Sequence, residues 1–202
     1  GRIGRHRRRG AGQRGDRWRL GVRRSASQGR EGQERNYNLH MDLPGESSIP
    51  RALLRKRLLR RRADIGPEDR HRLDAAIAAR LDDIAALRDA ERIAVFWPIR
   101  SEPDLAVAYH RWRAAGKRLA LPVVGGPNGG LLFCAWDRDA ALVTGPYGIP
   151  IPQDKTPVAP DCLLIPCVGF RLHRGRLWRL GYGAGFYDRT LAHRPAPAVG
   201  VA

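Results

Sequence analysis

Three absences narrow the choices first. No run of eighteen apolar residues occurs anywhere in the 202 residues, and a helix needs about that many to cross a bilayer, so no spanning helix is expected. Only three cysteines are present, Cys134, Cys162 and Cys167, too few and too unevenly spaced for a disulfide framework or a zinc site. They read as small buried apolar residues in a reducing compartment, which points to the cytoplasm. No Ser/His/Asp or Cys/His grouping offers a nucleophile, and His173 and His193 read as surface residues. Methionine occurs once, at Met41, and residue 1 is Gly.

Charge of one sign is abundant but uneven. The net charge is +17, which by itself suggests a polyanionic partner such as nucleic acid. Residues 1–40, however, hold twelve Arg and no Lys against Asp16, Glu31 and Glu34, a net +9. Over half the excess therefore sits in one-fifth of the chain. With scattered Gly and no apolar period, such a segment cannot bury enough surface to offset ordering its backbone, and residues 1–48 are expected to be a disordered leader. It reads as a transit peptide, as an RNA-binding arm, or as translated sequence upstream of a natural start at Met41; the sole methionine favours the third.

From residue 49 the chain is globular in pattern. Ser48 is a candidate N-cap for a basic helix over about 49–63, with Leu53, Leu54, Leu58 and Leu59 apolar. Gly66-Pro67-Glu68-Asp69 ends it and opens another, in which Leu73, Ile77, Leu81, Ile84 and Leu87 recur at helical spacing. The period then changes. Arg92–Trp97, Arg118–Val124, Leu131–Trp136, Asp161–Pro166 and Ala198–Ala202 read as strands, with Asn128-Gly129 as a tight turn. Helices are expected from Pro103 to Gly116 and from about Phe186. Strands alternating with helices predict an α/β fold of three layers, a mostly parallel sheet flanked by helices, Rossmann-like in architecture.

The most informative string is Arg179-Leu180-Gly181-Tyr182-Gly183-Ala184-Gly185-Phe186-Tyr187-Asp188-Arg189. Glycines at alternate positions follow a strand and precede a helix. They let the backbone approach a ligand, and successive N–H groups can form an anion-binding nest. Arg179 can hold a phosphate in two places, and Asp188 can take Mg²⁺ shared with phosphate oxygens. The spacing is neither a dinucleotide fingerprint nor a Walker loop. Three bare glycines alone are as well explained by a flexible connection; the flanking Arg, aromatic pair and Asp make the string more specific.

Arg179 to Arg189 as a whole resembles the signature of the 5-formyltetrahydrofolate cyclo-ligase (methenyltetrahydrofolate synthetase) family. Leu164–Phe170, Gly116–Val124 and Gly145–Pro150 resemble further family segments, and the likeness runs from about Ile49 to Ala202. The resemblance implies ATP binding by Arg179, Leu180, Gly181, Tyr182, Gly183, Ala184, Gly185, Phe186 and Tyr187, and a Mg²⁺ ligand in Asp188. It also implies ATP contacts from Arg51, where the family has Lys, and from Arg55, one helical turn on. By position, the family's folate contacts fall on Trp97 and Glu102. A flat indole suits a pterin or aminobenzoyl ring, and a carboxylate suits pterin nitrogens. Read without the family, Trp97 is a core residue at a strand end, Glu102 a helix N-terminal acid, and Arg51 and Arg55 part of a solvated basic face.

Two departures stand out. Phe170 is followed by Arg171 where the family has Asp, and Gly175–Trp178 lengthen the connection to Arg179. The family also continues past the segment matching Ala202, where the resemblance implies a second acidic metal ligand, so the domain 49–202 is expected to be incomplete and nearly inactive. The implied reaction is ATP-dependent closure of 5-formyltetrahydrofolate to 5,10-methenyltetrahydrofolate, releasing ADP and phosphate, by a monomer with a small-molecule folate substrate and no nucleic acid on the folded domain. The competing readings are a basic nucleic-acid-binding protein and another enzyme on a related α/β scaffold.

Overall fold

The computed structural model describes residues 49–202. The Arg-rich leader and Ser48 lie outside them. Helix α1 (Arg51–Ala63) starts at Pro50 without a side-chain cap. Helix α2 (Pro67–Leu81) has Pro at its first position and Glu68 and Asp69 in its first turn, where acids face the positive end of the helix dipole. The apolar period that runs on through Leu87 is interrupted. Asp82 leaves the helix and accepts bonds from Arg111 Nη2 at 2.7 Å and Trp112 Nε1 at 2.9 Å, and the short α3 (Ala85–Arg88) carries the remaining apolar residues.

Strands β1 (Arg92–Ala94), β2 (Arg118–Val124), β3 (Leu131–Ala135), β6 (Cys162–Pro166) and β9 (Ala198–Val201) form one sheet in the order β3-β2-β1-β6-β9. All neighbours are parallel except β2 and β3, which form a hairpin. That hairpin turns through Asn128 and Gly129 at φ 55° and 70°, as the Asn-Gly pair predicts. Two small ribbons stand outside the sheet, β4 (Leu142–Thr144) with β5 (Pro150–Pro152), and β7 (Gly169–His173) with β8 (Arg176–Leu180). Helix α4 (Ala106–Ala114) follows β1, and α5 (Phe186–His193) precedes β9.

Alternate strand residues bury on opposite faces. Ile93, Leu119, Leu121, Cys162 and Leu164 pack with Ala78, Leu81, Leu87, Ala108 and Trp112 of α2, α3 and α4. Ala94, Ala120, Leu163 and Ile165 face the other way, toward Phe186, Tyr187 and Leu191 of α5. The small Ala94 and Ala120 leave room there for the aromatic pair. These are the three layers of an α/β fold, with a mostly parallel sheet between helices. All three cysteines are buried with free thiols. Burial pushes Cys162 and Cys167 up to about 11, which keeps them neutral and unsuited to nucleophilic work.

Beyond β1 the strand order reverses. The chain passes from β1 to β2 on one side and returns to β6 on the other. Loops leaving the carboxyl ends of β1 and β6 diverge there, and in open α/β sheets this is where ligands bind. The loop after β1 carries Trp97 and Glu102; the segment after β6 leads through the β7–β8 ribbon to the glycine string.

Candidate active site

The glycine string has the backbone its sequence demands. Gly183 and Gly185 have φ of 112° and 70°, a region that side chains rarely enter. Gly185 is the left-handed N-cap of α5 and supplies no side-chain cap, so the first N–H groups of that helix point outward unpaired by one. Three arginines surround the string. Arg55 Nε, from α1, donates to the Gly181 carbonyl at 2.8 Å, and its guanidinium carbon would lie 3.5 Å from a Cβ added at Gly183. Arg179, at the base of β8, pairs through Nη2 with Asp188 Oδ1. Arg189 Nη1 donates to the Ala184 carbonyl at 2.8 Å and Nε to the Gly129 carbonyl at 2.9 Å. Outward N–H groups ringed by cations form a place for an anion.

Not every residue of the string faces that place. Leu180 is engaged in backbone pairing, its carbonyl accepting from Val168 N–H at 2.8 Å. Phe186 and Tyr187 pack against the core on the α5 side, and burial drives the Tyr187 hydroxyl well above its ordinary range. Ala184 and Gly183 are exposed, while Gly181 and Tyr182 are partly buried. Of the two arginines on α1, only Arg55 reaches the loop. Arg51 is exposed and makes no hydrogen bond among the described residues.

Trp97 belongs to an aromatic group. Its ring lies 6.0 Å from that of Trp136 at 60°, and Trp136 is covered on one face by the Arg113 guanidinium at 4.0 Å. Glu102 is 5% exposed. Oε2 of its carboxylate accepts from Ile99 N–H at 2.9 Å, closing a tight turn through Arg100 and Ser101 at φ 48° and 59°. Arg70 of α2 holds that turn, donating to the Ser101 carbonyl at 2.9 Å and to the Arg62 carbonyl at 2.6 Å.

Burial raises the Glu102 pKa above the ordinary glutamate value of 4.5. The Tyr182 hydroxyl facing it opposes that most strongly, followed by the Ile99 N–H and the charge of Arg62. Tyr182 is itself raised, by burial first and then by the carboxylate it faces. Arg62 completes the connection. It donates from Nη1 to the Tyr182 hydroxyl at 2.8 Å, and from Nη2 to the carbonyls of Cys167 at 2.5 Å and Val168 at 3.2 Å. No sequence signal prefers Arg62 over Arg60 or Arg61 beside it; the fold separates them by burial.

Asp188 is the acid within reach of the loop. One of its oxygens meets Arg179, and Oδ2 makes no hydrogen bond among the described residues. Those residues contain no group of three or more His, Cys, Asp or Glu able to hold a metal. A single open carboxylate oxygen suits Mg²⁺ carried by a nucleotide, since that ion keeps several waters and takes its other ligands from phosphates. It does not suit a metal caged by the protein.

An open α/β sheet with a cation-ringed glycine loop at its switch point defines an enzyme fold of the anion-handling kind. Within that class the chain belongs to the 5-formyltetrahydrofolate cyclo-ligase family, whose model matches residues 48–201. It is 34% identical over 137 residues to 5-formyltetrahydrofolate cyclo-ligase of Escherichia coli K12, covering 65% of this chain and 74% of that protein. The corresponding protein of Mycolicibacterium smegmatis is 32% identical over 114 residues, covering 52% and 57%. The solution structure of Aquifex aeolicus 5,10-methenyltetrahydrofolate synthetase is similar at a TM-score of 0.65 and 30% identity, over 76% of this chain and 78% of that one. A Mycoplasma pneumoniae 5,10-methenyltetrahydrofolate synthetase shares the fold at a TM-score of 0.58, over 75% and 84%, with 24% identity. The family establishes an enzyme of folate one-carbon metabolism with cyclo-ligase activity. Among the described residues no helix is long and apolar enough to cross a membrane.

Proposed function

We propose that this chain closes 5-formyltetrahydrofolate to 5,10-methenyltetrahydrofolate at the expense of ATP, with the nucleotide phosphates on the Gly181–Gly185 loop and the folate beside Trp97 and Glu102. One observation carries the reading: the two halves meet. Tyr182 lies in the glycine string, is held by Arg62, and its hydroxyl faces the Glu102 carboxylate across the switch point. A phosphate on the loop and a ring held by Glu102 would therefore be neighbours, as direct transfer between them requires.

The N5-formyl group is an amide and a poor electrophile. Its oxygen attacks the γ-phosphorus of ATP and ADP leaves. N10 then attacks the formyl carbon and gives up its proton, and the carbon–oxygen bond breaks to release phosphate. The chain's part is positioning and charge compensation. Arg55 and Arg179 flank the phosphates, and outward N–H groups of the loop and of α5 donate to their oxygens. Glu102 accepts hydrogen bonds from the pterin, and Trp97 offers it an apolar wall. Mg²⁺ bound with the nucleotide would neutralise phosphate charge, with Asp188 Oδ2 as its protein ligand. Arg51, exposed and one turn from Arg55, would contribute as a long-range charge.

The rise of near-ultraviolet absorbance of methenyltetrahydrofolate tests this directly. It should require both ATP and 5-formyltetrahydrofolate. Product formation without nucleotide, or none with it, would overturn the proposal.

A further inference from the structure

We propose that Arg62 is a positioning residue for this reaction, joining α1, the segment after β6, the glycine loop and the folate-side carboxylate into one unit. The inference rests on the folate reading of Glu102.

Arg62 is 9% exposed in a helix where Arg51, Arg57, Arg60 and Arg61 are exposed and Arg55 is partly buried. A buried guanidinium is costly unless its donors are satisfied. Here they are satisfied by chosen partners: the Cys167 and Val168 carbonyls where β6 ends, and the Tyr182 hydroxyl. With its Nη1–H already directed at the Tyr182 oxygen, that hydroxyl has its own proton left to give. The neighbouring acceptor is the Glu102 carboxylate. A donor at Arg62 thus fixes which way the Tyr182 hydroxyl points, toward a carboxylate that the Ile99 N–H holds in place. A Lys could not hold two carbonyls and a hydroxyl in one plane, because the fork geometry belongs to guanidinium.

The charged and titratable groups around Glu102 come from every packed element. They are Arg62 from α1, Arg100 from its own turn, Tyr182 and Tyr187 from the glycine string, Tyr109 from α4 and Cys167 after β6. Only the two arginines carry positive charge. Arg100 is exposed, so Arg62 is the buried counter-charge of this carboxylate.

The test is a double-mutant cycle with Arg62→Lys and Tyr182→Phe, read as kcat/KM for 5-formyltetrahydrofolate across pH. Each single change should lower it at least tenfold, and the acidic limb should move to higher pH, since Tyr182→Phe removes the hydroxyl that favours the ionised carboxylate and Arg62→Lys, although it keeps the charge, removes the fork that aims that hydroxyl. The double variant should be no worse than the poorer single within about threefold, because residues acting through one network are not additive. Arg62→Met should lose more than Arg62→Lys while KM for ATP changes less than KM for folate. Losses that multiply in the double variant, or an unmoved limb in folded single variants, would overturn the inference and leave the folate reading standing. Should the lysine variant fail to fold, Tyr182→Phe alone must still move the limb, and a fixed limb would overturn the inference. Absence of turnover in the unmodified chain would overturn both.

Discussion

Arg55 and Gly181 lie 126 positions apart and are joined by a hydrogen bond of 2.8 Å from Nε to the carbonyl oxygen. The first helix is thereby fastened to the loop that precedes the last one. The bond leaves the terminal nitrogens of Arg55 without a hydrogen-bond partner among the described residues and beside the exposed Gly183. An arginine held at Nε and open at its fork is prepared for an anion.

Replacing Arg55 by Met should therefore weaken ATP binding by tenfold or more, since a hydrogen bond to a charged group contributes about 1.5–3 kcal/mol. Arg51→Met should change it much less, because exposed charges are screened. Calorimetric titration of both variants checks the contrast, and equal losses would refute it.

Gly183→Val should lower nucleotide affinity more than it lowers stability. The added Cβ meets the Arg55 guanidinium at ordinary contact distance, so space is not the main obstacle. The backbone is: at φ 112° a β-branched residue is strained by about 1–3 kcal/mol. The loop should relax and lose its outward N–H groups, with the melting temperature down by a few degrees. Unchanged ATP affinity in the folded variant would make the loop a mere connection.

Glu102→Gln should separate binding from stability. In the folded protein this carboxyl binds its proton more tightly than the unfolded chain does. Between pH 4.5 and the raised folded pKa, the native state holds more protons, so stability falls as pH rises through that window. Gln removes that dependence and should flatten the profile in urea unfolding. The requirement for folate should rise about tenfold, while ATP affinity stays nearly constant. A parallel loss of ATP affinity would mean that Glu102 serves structure alone.

Thr190→Val probes the seam between α5 and the sheet edge. The Thr190 hydroxyl accepts from Leu131 N–H and donates to the Phe186 carbonyl, both at 2.8 Å, and the residue is 6% exposed. Valine leaves a buried N–H unpaired, costing about 1–3 kcal/mol. That corresponds to about 2–4 °C of melting temperature per kcal/mol at this size. No change on melting would show that water replaces the hydroxyl.

Where period and composition agree, the sequence was sufficient. The parallel strands read correctly because both faces are covered, which makes Cys162–Pro166 and Arg118–Val124 nearly continuous apolar runs. The Asn128-Gly129 turn read correctly because its chemistry is local. The β7–β8 ribbon was read as a connection, although Phe170-Arg171-Leu172-His173 alternates as a strand should. Its turn uses Arg174 and Gly175 at φ 50° and 72°, and Arg at the first of these positions carries no turn signal. The break in α2 was invisible for another reason. Asp82 ends the helix through Arg111 and Trp112, 29 and 30 positions away, partners that no local window contains. Arg62 was hidden likewise: three successive arginines look alike until the fold buries one.

The turn that presents Glu102 holds two residues, Arg100 and Ser101, in the left-handed region without a glycine between them. Two such conformations cost of order 1–3 kcal/mol each, and Arg70 is the clasp that keeps them. The acid is thus presented under tension rather than at rest. Natural stability and catalytic fitness then pull in opposite directions at Ser101. A glycine there would ease the turn and make a calmer protein, and the same slackness would let the carboxylate wander from the place where the proposed folate contact needs it.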